Sequence, residues 1–116
     1  MPVILTIEQK QLPPDITVLE MSGRIIMGNN SRDVELKLGE LLVEGKKKVI
    51  FDLAGVTMLD STGVGILVVS QAKIKKEGGE LRICGATGIV EEILKMTSVD
   101  KIVRFFPTVA EAASNF

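Results

Sequence analysis

One short run, Val49-Ile50-Phe51-Asp52-Leu53, constrains this chain more than any other segment. A strand that faces water on one side alternates apolar and polar residues. A strand that is apolar almost throughout is covered on both faces, as in a parallel sheet packed by helices. The flanking segments can supply those helices. Ser31 can cap a helix running to about Glu44, with Gly45 placed to stop it and Val34, Leu38, Leu41 and Leu42 on one face. On the other side, Gly63-Val64-Gly65-Ile66-Leu67-Val68-Val69 could pass for a strand. The apolar pattern nevertheless continues through Ala72 and Ile74 to Gly78-Gly79, and that length predicts a helix over Thr62 to Glu77.

The remaining elements follow from local chemistry. Val3 to Glu8 is rich in β-branched residues and reads as a strand; Leu12-Pro13-Pro14-Asp15 breaks it, and Ile16 to Met21 reads as its hairpin partner. Gly23 and Gly28-Asn29-Asn30 mark the exit. Lys46-Lys47-Lys48 reads as a solvated loop. Further strands are expected at Glu80 to Cys84 and Ile102 to Phe106, with a helix from Thr87 to Met96 carrying Val90, Ile93 and Leu94 inward. After Pro107, Thr108 with Glu111 three residues later forms a capping-box signature for a short final helix. Helices and strands alternate after the hairpin, so the later strands should be parallel. The expected fold is α/β: one domain over residues 1–116, a small mixed sheet of about five strands packed with about four helices.

Composition narrows the chemistry. The chain has 116 residues, 46% hydrophobic and 25% charged, an ordinary balance for a domain that needs no disulfide or metal staple. Fourteen basic and fifteen acidic residues give a net charge of -1, which leaves no footprint for nucleic acid. No apolar run approaches the roughly 20 residues of a membrane span, no secretory pattern opens the chain, and a cytoplasmic location is expected. There is no histidine, so Ser-His-Asp and Cys-His hydrolases are excluded and a zinc site is disfavoured. Carboxylates such as Asp52 and Asp60 have no matched nucleophile and base, and Cys84 reads as strand packing rather than a thiolate. The chain is expected not to be an enzyme and to need no cofactor. A lone Gly63-Val64-Gly65 is a weak signal for a nucleotide loop.

The informative segment is Phe51-Asp52-Leu53-Ala54-Gly55-Val56-Thr57-Met58-Leu59-Asp60-Ser61-Thr62-Gly63-Val64-Gly65. A buried strand passes through a turn at Gly55 to Leu59 into Asp60-Ser61, where a helix begins. Ser61 is a candidate N-cap, at a place where free N–H groups and the helix dipole favour negative charge. Asp60 and Ser61 can be caps alone, or Ser61 can also accept a phosphoryl group that the scaffold would tolerate there. The helix carries more apolar residues than one face needs. With Val64, Leu67, Val68 and Ala72 inward, Ile66 and Val69 are left for another side. They could form a docking patch around Ser61 together with Met58 and Leu59, or the helix could be buried on two sides.

These residues resemble the signature of STAS domains, and most of all that of bacterial anti-sigma factor antagonists. The likeness extends over nearly the whole chain, from the opening hairpin and Gly23-Arg24-Ile25 to the later helix-strand-helix. The resemblance implies a serine phosphorylated by a partner: an anti-sigma factor that is also a serine kinase and brings its own ATP and magnesium. Unmodified antagonist binds it and frees the sigma factor, phosphorylation blocks binding, and a phosphatase resets the switch. The phosphoacceptor carries over onto Ser61, with Asp60 before it and Thr62-Gly63 after it; together with the apolar Met58, Leu59 and Ile66, the residues Asp60, Thr62 and Gly63 are the expected partner-binding set. Many antagonists have an aspartate shortly after the glycine that follows the second strand, whereas here Gly23-Arg24-Ile25-Ile26 places Ile26 there. That departure leaves a second expectation, an unswitched accessory subunit of a lipid- or anion-transport assembly. The free protein is expected to be a monomer.

Overall fold

Pro13 and Pro14 turn the chain between two antiparallel strands, β1 (Thr6–Leu12) and β2 (Ile16–Ile25), in the computed structural model, which describes residues 4–116. From β2 onward the chain alternates: α1 (Arg32–Val43), β3 (Lys48–Leu59), α2 (Ser61–Lys76), β4 (Glu80–Cys84), α3 (Gly88–Met96), β5 (Arg104–Phe106) and α4 (Val109–Ala113). The five strands lie in the order β1-β2-β3-β4-β5. β2 to β5 are parallel, so the sheet is mixed, as the alternation of elements predicts.

The two-sided burial expected of β3 is realised. Phe51, flanked in register by Leu19 and Ile83, sits in the main core with Val34 and Leu38 of α1, Leu67 and Ile74 of α2, and Val90 and Leu94 of α3. Ile50 points to the opposite face, where Ile16, Val18 and Cys84 pack with Ala112 of α4. Thr108 caps α4 as predicted, its hydroxyl accepting the Glu111 N–H at 3.2 Å.

Cys84 is strand packing, as its sequence context suggests. Burial first, and then the nearby Asp52 carboxylate, push its thiol up to about 12. Beside it the second face holds a charged group that hydropathy does not announce. Arg82 is buried, with its guanidinium donating to Glu80 at 2.8 Å and to the carbonyls of Ala112, Ser114 and Asn115 at 2.8, 3.0 and 3.1 Å. It also lies over the ring of Phe116 at 4.1 Å.

Several boundaries differ from the sequence expectation. The first strand was expected over Val3 to Glu8; Val3 lies outside the described residues, and the strand continues to Leu12 because β2 supplies partners up to Ile16. Gly23 does not end β2. It takes a φ of 104° and forms a bulge, after which Arg24 and Ile25 pair with Met58 and Leu59. The expected turn at Gly55 to Leu59 is therefore strand, held by those partners rather than by its own residues. Ser31 stands at the start of α1 but already has helical angles and makes no capping bond. The last strand is shorter than predicted because Val99–Lys101 form a 3-10 turn that draws back the N–H of Ile102.

Candidate functional site

The parallel strands deliver β3 and β2 side by side to one end of the sheet, and α2 starts where they finish. Asp60, with an extended backbone, is the N-cap of α2: its Oδ1 accepts the N–H of Gly63 at 2.9 Å. Its Oδ2 accepts the N–H of Met27 at 3.0 Å, from the loop that follows β2. One carboxylate thus ties the helix start to a neighbouring loop. Desolvation works to raise the Asp60 pKa, but the N–H groups of Met27, Gly63 and Thr62 outweigh it and hold the carboxyl below its ordinary value of 3.8.

The expectation that Ser61 caps the helix is corrected. Asp60 holds that position, and Ser61 is the first helical residue, exposed to solvent. An aspartate one residue earlier satisfies the N–H that a serine cap would take. Ser61 stays at the positive end of a 16-residue helix without being its cap.

Gly63 explains the close seating of that helix. A Cβ at this position would collide with the carbonyl oxygen of Ile25 and sit 3.2 Å from Leu59. The first turn of α2 is pressed against the end of β2, and the same Ile25 carbonyl accepts the Asp60 N–H at 3.4 Å. Packing therefore fixes a helix start that two glycines would otherwise weaken.

The expected docking residues divide into two sets. Met58 is 40% exposed, and Asp60 and Thr62 are half-buried at the rim. Leu59, Gly63 and Ile66 are buried in the core, so they cannot meet a partner's surface and instead support the site from beneath. The helix is rotated from the expected inward set: Ile66, Leu67, Ser70 and Ile74 face in, while Val68, Val69 and Ala72 are exposed. The sequence reading missed Met27, which is 74% exposed and held beside the cap by its own N–H bond. Its nearest sequence signal was its place just before the Gly28-Asn29-Asn30 turn. A hollow next to Thr62 is lined by Met27, Asn30, Arg32 and Asp33, so the loop after β2 and the start of α1 border the beginning of α2.

The strand that leads into Asp60 and the helix that starts at Ser61 lie within a stretch matched by a family model. The STAS-domain model covers residues 9–112. The chain belongs to the STAS-domain family. A Thermotoga maritima protein provisionally named an anti-sigma factor antagonist is 26% identical over 98 residues, 84% of this chain and 87% of its own length. The solved structure of the Bacillus cell fate determinant SpoIIAA in its phosphorylated form superposes with a TM-score of 0.70 at 13% identity, covering 92% of this chain and 96% of that one. A sulfate transporter family protein from Wolinella succinogenes reaches 0.74 at 23% identity, over 89% and 85% of the two chains. Both of those structures share the fold of this STAS domain. No helix among the described residues is long and apolar enough to cross a membrane.

Proposed function

We propose that this STAS protein is a phosphorylation-switched antagonist, a binding protein rather than an enzyme, acting in the cytoplasm on an anti-sigma factor that is also a serine kinase. The observation that carries the reading is the division of labour at the start of α2, where Asp60 caps and Ser61 is exposed beside it. Unmodified, the chain docks through Met27, Met58 and Thr62 around Ser61, and the anti-sigma factor releases its sigma factor. The kinase then modifies what it holds. The Ser61 oxygen attacks the γ-phosphorus of ATP, a new P–O bond forms as the bond to ADP breaks, and the hydroxyl proton passes to a base of the kinase. The chain needs no histidine for this.

Phosphorylation adds about -1.5 to -2 charges one residue after the Asp60 carboxylate, at an end of the sheet that also exposes Met27 and Met58. The helix dipole favours that charge, so the fold persists. The docking surface does not, because an apolar partner face would have to bury an unpaired dianion. A phosphatase returns Ser61 to its hydroxyl form.

The test is a tagged pull-down from native lysate with wild type, Ser61→Ala and Ser61→Glu, and identification of the captured protein by mass spectrometry. Retention of one kinase-like protein by wild type and Ser61→Ala, with loss in Ser61→Glu, supports the switch. Equal capture of a transporter subunit by all three overturns it in favour of the accessory-subunit reading, which Ile26 and the transporter neighbour keep as the alternative.

A further inference from the structure

Among the described residues the sheet ends at β1, whose outer edge carries no strand and whose residues are mostly exposed. Single edges are commonly guarded by a lysine or proline that repels a second strand. β1 holds Lys10, but it also holds Glu8, in register opposite Glu20 of β2. Like charges directly opposite one another across strands are destabilising. Lys10 is committed diagonally to Glu20 at 2.9 Å and feels the Glu8 carboxylate only as a weaker, longer-range attraction, so that one lysine serves two glutamates. A guarded edge needs no such glutamate.

The sequence of the strand accounts for it. In Thr6-Ile7-Glu8-Gln9-Lys10-Gln11-Leu12 the two charges, Glu8 and Lys10, are opposite in sign and equally spaced about Gln9. We propose that β1 pairs with β1 of a second copy of this chain, antiparallel, about a two-fold axis at Gln9. Glu8 then faces the partner's Lys10 and Lys10 faces the partner's Glu8, both on the face that carries Glu20. Each Glu8, which stands opposite Glu20 within one copy, then meets a cation from the other. Ile7 lies opposite Gln11, and Pro13, with no N–H to donate, ends the ladder. Moving the axis to Glu8 or to Lys10 would set like charges face to face, so charge selects the register. Such an interface is isologous, and it lies two strands away from β3 and the Ser61 end of α2. The free protein is then a weak dimer rather than the monomer expected from sequence.

Sedimentation equilibrium on the full chain, from low micromolar into the hundreds of micromolar, tests the pairing. The wild type should self-associate. Glu8→Lys and Lys10→Glu should each weaken the dimer about tenfold, because two attractive cross-strand pairs become repulsive. The double variant Glu8→Lys/Lys10→Glu should restore it, with circular dichroism checking that every variant is folded. A wild type that stays monomeric, or a double variant no better than the single ones, would overturn the proposal. The register is checked by oxidation: Gln9→Cys should cross-link to its own copy, while Lys10→Cys should not. Equal cross-linking of the two would sink the Gln9-centred pairing.

Discussion

Asp60 and Met27, 33 residues apart in sequence, are joined by a 3.0 Å hydrogen bond from the methionine N–H to the aspartate carboxylate. The same side chain caps α2 through Gly63 at 2.9 Å. Removing it loses both contacts. Asp60→Ala should therefore destabilise the domain by about 2 kcal/mol, the upper end of an N-cap loss. Asp60→Asn, which keeps one acceptor, should cost about half as much. Urea unfolding measures both, and amide exchange at Met27 should quicken in Asp60→Ala while amides in the middle of β3 stay protected.

The depressed pKa of Asp60 has a pH signature. A carboxyl held below its ordinary value stabilises the fold fully above that value and loses the contribution as pH falls through the folded pKa. The amide shifts of Met27 and Gly63 should therefore titrate together in a single step below pH 3.8, and Asp60→Asn should abolish that step. Separate midpoints for the two amides would mean that one carboxylate does not hold both.

The two glycines of α2 should respond oppositely to the same substitution. At Gly63 a methyl group meets the Ile25 carbonyl, which is backbone and cannot swing aside. Gly63→Ala should cost about 1–3 kcal/mol and displace the helix start. At Gly65 nothing lies within 4 Å of the added carbon. Gly65→Ala should stabilise the helix by about 0.5–1 kcal/mol. Thermal unfolding of the pair, read side by side, decides whether packing or propensity governs this turn.

Arg82 should be among the costliest positions on the second face. It donates to three carbonyls at the end of the chain and to Glu80. Arg82→Met keeps much of the volume but strands those acceptors, and should cost about 3 kcal/mol. Loss of protection confined to residues 109–116 in hydrogen exchange would show that the cost lies in undocking α4.

What could be read in the sequence was whatever local chemistry dictates. The apolar run at Val49 to Leu53, the helical spacing of Val34, Leu38 and Leu41, and the Thr108 box all stand as expected, because each carries its own signal. The misreadings share one cause, which is dependence on distant residues. Gly55 to Leu59 looks like a turn until Ser22 to Ile25 pair with it. Ile66 looks spare until α2 is seated on β2, which rotates it into the core and turns Val68 outward. Arg82 drew no reading from sequence, because its burial depends on residues 112–116 folding over it. At the site, the Asp60-Ser61-Thr62-Gly63 segment marked the place, but which oxygen caps the helix depends on where Met27 arrives.

Because the cap belongs to Asp60, position 61 can be rewritten without disturbing the helix. The native chain offers no competing thiol, since Cys84 is buried with its pKa pushed up to about 12. Ser61→Cys would therefore give this protein a single accessible attachment point for a fluorophore or spin label, located where a partner is expected to arrive. The residue proposed to carry the signal in the cell would then report the arrival of a partner in the cuvette.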